Sequence, residues 1–169
     1  MITRVLTSEL SLLELAQQGD SESQYLLAHQ YHYGKEKDHA EAVKWYREAA
    51  NRGSPSAVYG ISRLYLDSDS PQASDLKAYV WVNILQDLIL RKRKQGIKLN
   101  FEQQVINNKG EVLEDSYDGL VWANKGIEML SKRMPETELA ESQFQLAYAI
   151  YNGKGGAEQD TKEASRWYK

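Results

Sequence analysis

The block that opens at Gly19 returns at Gly53, 34 residues later, and that recurrence restricts the chain more than any single residue in it. At the same separation Ser23 aligns with Ala57, Tyr25 with Tyr59, Leu27 with Ile61 and Tyr31 with Tyr65. A fixed period of this size marks stacked helix-turn-helix units, each too small to bury its own apolar face. Beyond Tyr65 the register slips to 36, because Trp45 aligns with Trp81, and a slip between the helices of a unit reads as a longer loop. Further along, Leu146, Ala147, Gly153, Asp160, Ala164, Trp167 and Tyr168 answer to Leu27, Ala28, Gly34, Asp38, Ala42, Trp45 and Tyr46. The functional question therefore concerns a binding face before it concerns an active site.

Residue types explain why such a unit folds. Tyr25, Leu26, Ala28 and Tyr31 recur at helical spacing within 21–33, as do Ala42, Val43, Tyr46, Ala49 and Ala50 within 40–50. Small residues let helix backbones approach, and Trp45 and Tyr46 fill the space between neighbouring pairs. Gly34 and Gly53 are placed to end helices in the left-handed conformation, and Ser54 with Pro55 then reads as N-cap and first helical residue.

Leu27-Ala28 with Tyr31 and Gly34, then Asp38, Ala42, Trp45-Tyr46, Ala49-Ala50 and Gly53, resemble the Sel-one-like repeats, relatives of the tetratricopeptide repeats. The later Gly153-Lys154-Gly155, Asp160, Ala164 and Trp167-Tyr168 carry the same resemblance, and Met134-Pro135-Glu136 is similar to a turn found in a long-helix variant. It covers 10–85 and 127–169. It departs from the pattern at Ser68 and Ile150, where Gly and Tyr are usual. The resemblance implies an all-α fold, an αα-superhelix of antiparallel helix pairs acting as a protein-binding module. The expected organisation is one domain: a capping half-repeat at 8–18, repeat 1 at 19–52, repeat 2 with an extended second helix at 53–90, a helical insertion at 91–126, and a truncated repeat 3 at 127–169.

Composition agrees with this class. The chain is 41% hydrophobic and 27% charged, with three Pro and no Cys, so disulfides and zinc thiolates are excluded. A net charge of −3 argues against general nucleic-acid affinity. Glu9 and Glu14 interrupt the first apolar stretch, so no signal peptide is read and a cytoplasmic location is expected; no stretch has the length of a membrane span.

The segment outside the resemblance is read as follows. Repeat 2's second helix continues into Arg91-Lys92-Arg93-Lys94, and Gly96 permits its end. Asn100 with Gln103 reads as the start of another helix, 107–110 as a turn, and Leu120-Val121-Trp122 as the entry to a helix ending near Met134. The basic run 91–94 can grip an acidic partner or serve as a solvated helix end complementing the dipole. His29, His32 and His39 lack a completing acid or Cys, so no metal site is assigned. Gly153-Lys154-Gly155-Gly156 lacks the preceding strand and Lys-Ser/Thr ending of a phosphate loop and reads as loop closure. No residue set forms a nucleophile and its base, so neither catalysis nor a cofactor is expected.

The expected role is that of a scaffold or adaptor binding a protein partner. Its contacts are expected at Gln24, His29, Arg63 and Gln143 on the first helices, and at Arg91 and Arg93 in the insertion. The alternative is a bacterial immunity protein that neutralises a toxin by direct binding. The C-terminal helix that reaches Trp167-Tyr168-Lys169 is expected to leave an apolar side open, which allows self-association.

Overall fold

Nearly every helix begins where the sequence supplies a side-chain oxygen for its unbonded amides. The computed structural model describes residues 11–106 and 112–168, with 102–106 and 112–117 described by backbone alone. Helix α1 (Leu12–Gln17) opens with a capping box, the Ser11 hydroxyl accepting from the Glu14 amide and the Glu14 carboxylate from the Ser11 amide. Helices α2 (Ser21–Tyr33) and α3 (His39–Asn51) start from Asp20 and Asp38, and α4 (Pro55–Leu66) from Ser54 with Pro55 leading. Ser74 caps α5 (Asp75–Lys94), which runs 20 residues as the apolar sequence predicts. Strands β1 (Asn100–Ile106) and β2 (Val112–Asp118) follow, then α6 (Gly119–Arg133), capped by Asp118. Helix α7 (Glu136–Asn152) leaves Pro135 without a side-chain cap, and Asp160 caps α8 (Thr161–Trp167).

The helices pack as consecutive pairs, α2 with α3, α4 with α5 and α7 with α8. This is the all-α repeat architecture expected. α1 lies on α2, while α5 contacts α4, α6 and α7 together. The core seam consists of Trp45, Tyr46, Ala49 and Ala50 of α3 with Val58, Ile61, Leu64 and Tyr65 of α4, continued by Trp81, Val82, Leu85 and Ile89 of α5. Burial of those side chains is the main stabilising term, each large one contributing on the order of 1.5–3 kcal/mol.

Several expectations are corrected. Asn100–Ile106 is a strand, not a helix, pairing antiparallel with Val112–Asp118 in unbroken register from Asn100↔Asp118 to Ile106↔Val112. The ladder with 112–118 satisfies the backbone of this segment, and that partner lies outside the local Asn100/Gln103 capping signal. Alternation along β1 then delivers Phe101, 6% exposed, to a parallel stack on the Tyr59 ring at 4.3 Å. The turn expected at 107–110, and the cap residues before 11, lie outside the described residues. Gly53 is left-handed at φ +83, but Gly34 is extended at φ −71. Gly34 is needed for space, since a Cβ there would meet the Gln30 carbonyl oxygen at 2.4 Å. On α2 the buried face is Ser23, Gln24, Leu27, Ala28 and His32, whereas Leu26 is exposed. Trp45 and Trp81 are buried and Trp167 is half-buried against the core.

Candidate functional site

A groove of about 580 Å³ lies between α3, α5 and α7. Val80, Trp81 and Ile84 are spaced to share one face of α5 and form its apolar floor. Phe144 and Tyr148 of α7 form a wall and keep 53% and 49% of their surface exposed. Arg47 and Asn51 of α3 stand on the other side, and Lys154 with Gly155 supplies the margin.

The glycine run fixes that margin. Gly155 has φ +67, and a Cβ on it would lie 2.9 Å from the Trp81 ring, so only glycine brings this backbone down onto the indole. Its amide donates to the Asn51 carboxamide oxygen at 2.8 Å, across a separation of 104 residues. The Gly156 carbonyl accepts from the Arg91 guanidinium at 2.8 Å. The run is thus the loop closure expected, seated on α3 and α5.

Positive charge dominates the groove. Arg47 donates to the Tyr65 hydroxyl at 3.1 Å, Lys77 lies 5.5 Å from the Tyr65 ring centre, and Lys154 lies 5.0 Å from that of Tyr148. Glu141 is the single carboxylate in the lining and accepts from the Gln145 amide at 3.0 Å. Such a lining can pair with carboxylates and cover apolar side chains.

None of the six residues expected to bind a partner lines this groove. Gln24 is 2% exposed, and its amide donates to the Ala16 carbonyl at 3.0 Å, so it joins α1 to α2 and offers a partner nothing. His29 is exposed on α2 beside Tyr25 and Tyr33, with burial of part of the ring and the Arg63 charge lowering its pKa. Arg63 lies 5.9 Å from the ring centres of Tyr33 and Tyr59, so His29 and Arg63 share one aromatic face. Gln143 is half-buried on α7. Arg91 is held by Asp87 and Gly156, and Arg93 donates to both carboxylate oxygens of Asp118 at 2.6 Å. The two arginines therefore tie the insertion and the glycine loop to α5.

The histidines have separate partners: His32 Nδ1 lies 3.3 Å from the Tyr46 hydroxyl and His39 Nδ1 2.9 Å from that of Ser70. Among the described residues no three His, Cys, Asp or Glu side chains are grouped to hold a metal ion. The groove aromatics left a trace in the sequence. Phe144 and Tyr148 recur at i and i+4 on α7, apart from the positions Ser142, Leu146, Ala147 and Ala149 that the core buries.

The Sel1 repeat family model matches residues 21–54 and 140–169. Among solved structures, a Sel1 repeat protein from Oxalobacter formigenes is 22% identical, the likeness covering 99% of this chain and 92% of that one at a TM-score of 0.41. A protective antigen of uropathogenic Escherichia coli strains, displaying an SLR fold, is 20% identical at a TM-score of 0.41. That likeness covers 93% of this chain and 31% of the antigen. No curated protein matches the chain.

Proposed function

Taking as premise that this chain is a Sel1-repeat protein, matched by the repeat model at 21–54 and 140–169, we propose that it is a scaffold or adaptor holding a protein partner in the groove between α3, α5 and α7. Sel1 repeats are in general protein–protein interaction modules. The observation that carries the placement is the wall of Phe144 and Tyr148, two large aromatics about half exposed over an apolar floor. Interface hot spots are enriched in such side chains set in desolvated pockets. A buried aromatic covers 150–250 Å², so roughly 100 Å² of each remains for a partner to cover. At about 25 cal/mol per Å² that is on the order of 2.5 kcal/mol per ring before ordering costs.

The test compares the wild-type chain with a Phe144→Ser/Tyr148→Ser variant as bait in lysate of the native cell. A protein retained by the first and lost by the second, with an unchanged unfolding midpoint, supports the groove. Identical retained sets would refute it.

A further inference from the structure

We infer that the occupant of this groove is an acidic peptide segment of the partner, one that presents an apolar or aromatic anchor flanked by Asp or Glu. The inference rests on the protein-binding reading above and specifies the chemistry recognised there.

The charge argument is local. The chain carries a net charge of −3, yet Arg47, Lys77 and Lys154 line the groove against the single carboxylate of Glu141. All three cations are exposed, and none has an ion-pair partner among the described residues. Elsewhere Lys44, Arg91, Arg93, Lys98, Lys132, Arg133 and Arg166 are each paired within the chain, while Arg52, Lys92 and Lys94 have no ion pair among the described residues. The groove cations instead rest on rings and hydroxyls, Lys77 on Tyr65, Lys154 on Tyr148 and Arg47 on the Tyr65 hydroxyl. Those contacts hold the side chains in place without neutralising them, so a carboxylate arriving at the rim finds its partner already positioned.

The floor decides which class of polyanion fits. Trp81, Val80 and Ile84 present no hydrogen-bonding group except the indole, so the centre of the site rewards an apolar side chain and the rim rewards charge. A peptide can alternate the two within a few residues, whereas a nucleic acid places phosphate at every step. From Lys77 to Ile84 the helix rises about 10 Å, which an extended peptide spans in roughly three or four residues.

Beyond the glycine loop lies a second basic patch, where Arg52, Lys92 and Lys94 stand around a depression with no aromatic in its lining. It provides an internal control, since reversing two of its lysines changes net charge as much as reversing two in the groove. Charge alone, acting at a distance, sets encounter rate; charge beside an apolar floor sets residence.

The experiment pans displayed random peptides, roughly a dozen residues long so that the footprint falls in any frame, against the full chain. Enriched peptides are then synthesised with fluorescein and titrated by anisotropy. The expected enrichment is Asp or Glu around a Leu, Phe or Trp, with affinity falling as salt shortens the Debye length to about 8 Å. Lys77→Glu/Lys154→Glu should weaken binding on the order of tenfold or more, and Lys92→Glu/Lys94→Glu by about threefold or less. Equal losses in the two variants would overturn the inference, as would enrichment of neutral or basic peptides. A fluorescein-labelled single-stranded oligonucleotide that bound tighter than the best acidic peptide would overturn it too. Peptides that are not acidic yet need Phe144 and Tyr148 would refute the charge argument and leave the protein-binding groove standing. Peptides indifferent to both groove variants would remove both.

Discussion

Acidification from about pH 7.5 to about pH 5 should destabilise this protein through one histidine. His32 is 3% exposed, stacked on Tyr33 at 3.8 Å and set edge-on to Tyr46 at 5.9 Å. Burial, then the nearby charges of His39, Arg63 and His29, pushes its pKa down from 6.5 to about 3, with Asp67 opposing weakly. The unfolded chain therefore takes up a proton near pH 6.5 that the folded chain refuses until about pH 3. Above pH 6.5 both states are neutral here and nothing is lost. Below it the unfolded state binds more protons, and stability falls as pH falls. Integrated from pH 7.5 to pH 5, the loss from His32 alone is about 2 kcal/mol. His29, also lowered by burial and Arg63, adds to it in the same direction. The carboxylates of Glu14, Asp20 and Glu128 are lowered by hydrogen bonds from Ser11, Ser23 and Lys132. The assay is urea unfolding of the wild type and His32→Gln at both pH values, since Gln can still accept from Tyr46 and does not titrate. The wild type should lose about 2 kcal/mol more than the variant between the two pH values. Equal losses would show that His32 is not held neutral in the fold.

Three further outcomes are expected. Phe101→Ala removes a buried ring stacked on Tyr59 and should cost about 3–5 kcal/mol, read as a lower urea midpoint; an unchanged midpoint would mean that the hairpin base does not anchor the insertion. Gly155→Ala forces a Cβ against Trp81 in left-handed backbone and should cost on the order of 1–3 kcal/mol, with a shift in tryptophan emission that Gly96→Ala, where nothing lies within 4 Å, should not produce. Arg91→Glu/Arg93→Glu breaks the contacts to Asp87, Gly156 and Asp118, so it should lower the melting temperature as well as alter charge; a melting temperature equal to wild type would restore both arginines as free surface groups.

Local signals were legible in the sequence and distant ones were not. Gly53-Ser54-Pro55 ends one helix and starts the next through bonds confined to neighbouring residues, and the structure shows that arrangement. Trp45, Tyr46, Ala49 and Ala50 are buried as their spacing predicts, because one helix face determines it. The hairpin escaped because Asn100 and Gln103 imitate a helix start, while the competing signal lies on a second strand. The groove escaped for the same reason on a larger scale. Arg47, Lys77, Phe144 and Lys154 are brought together from three helices and a loop, and nothing near Asn51 in the chain reveals that its carboxamide will receive the Gly155 amide. Gln24 and Arg91 looked like surface groups because polarity was visible and the carbonyls that would hold them were not.

The hydrogen bond from Gly155 to Asn51 changes what kind of object the repeat array is. Ordinary solenoids are chains of nearest neighbours, able to fray from either end one unit at a time. Here the third unit reaches past the second to grip the last turn of the first, so the array is stitched into a ring of contacts rather than a row. Losing α7 and α8 would uncover Trp81 and leave the Asn51 carboxamide without the Gly155 amide together. Amide protons on α3, α5 and α7 should then exchange with deuterium at a common rate, as a single opening event, where an unstitched row would show a gradient from its ends inward.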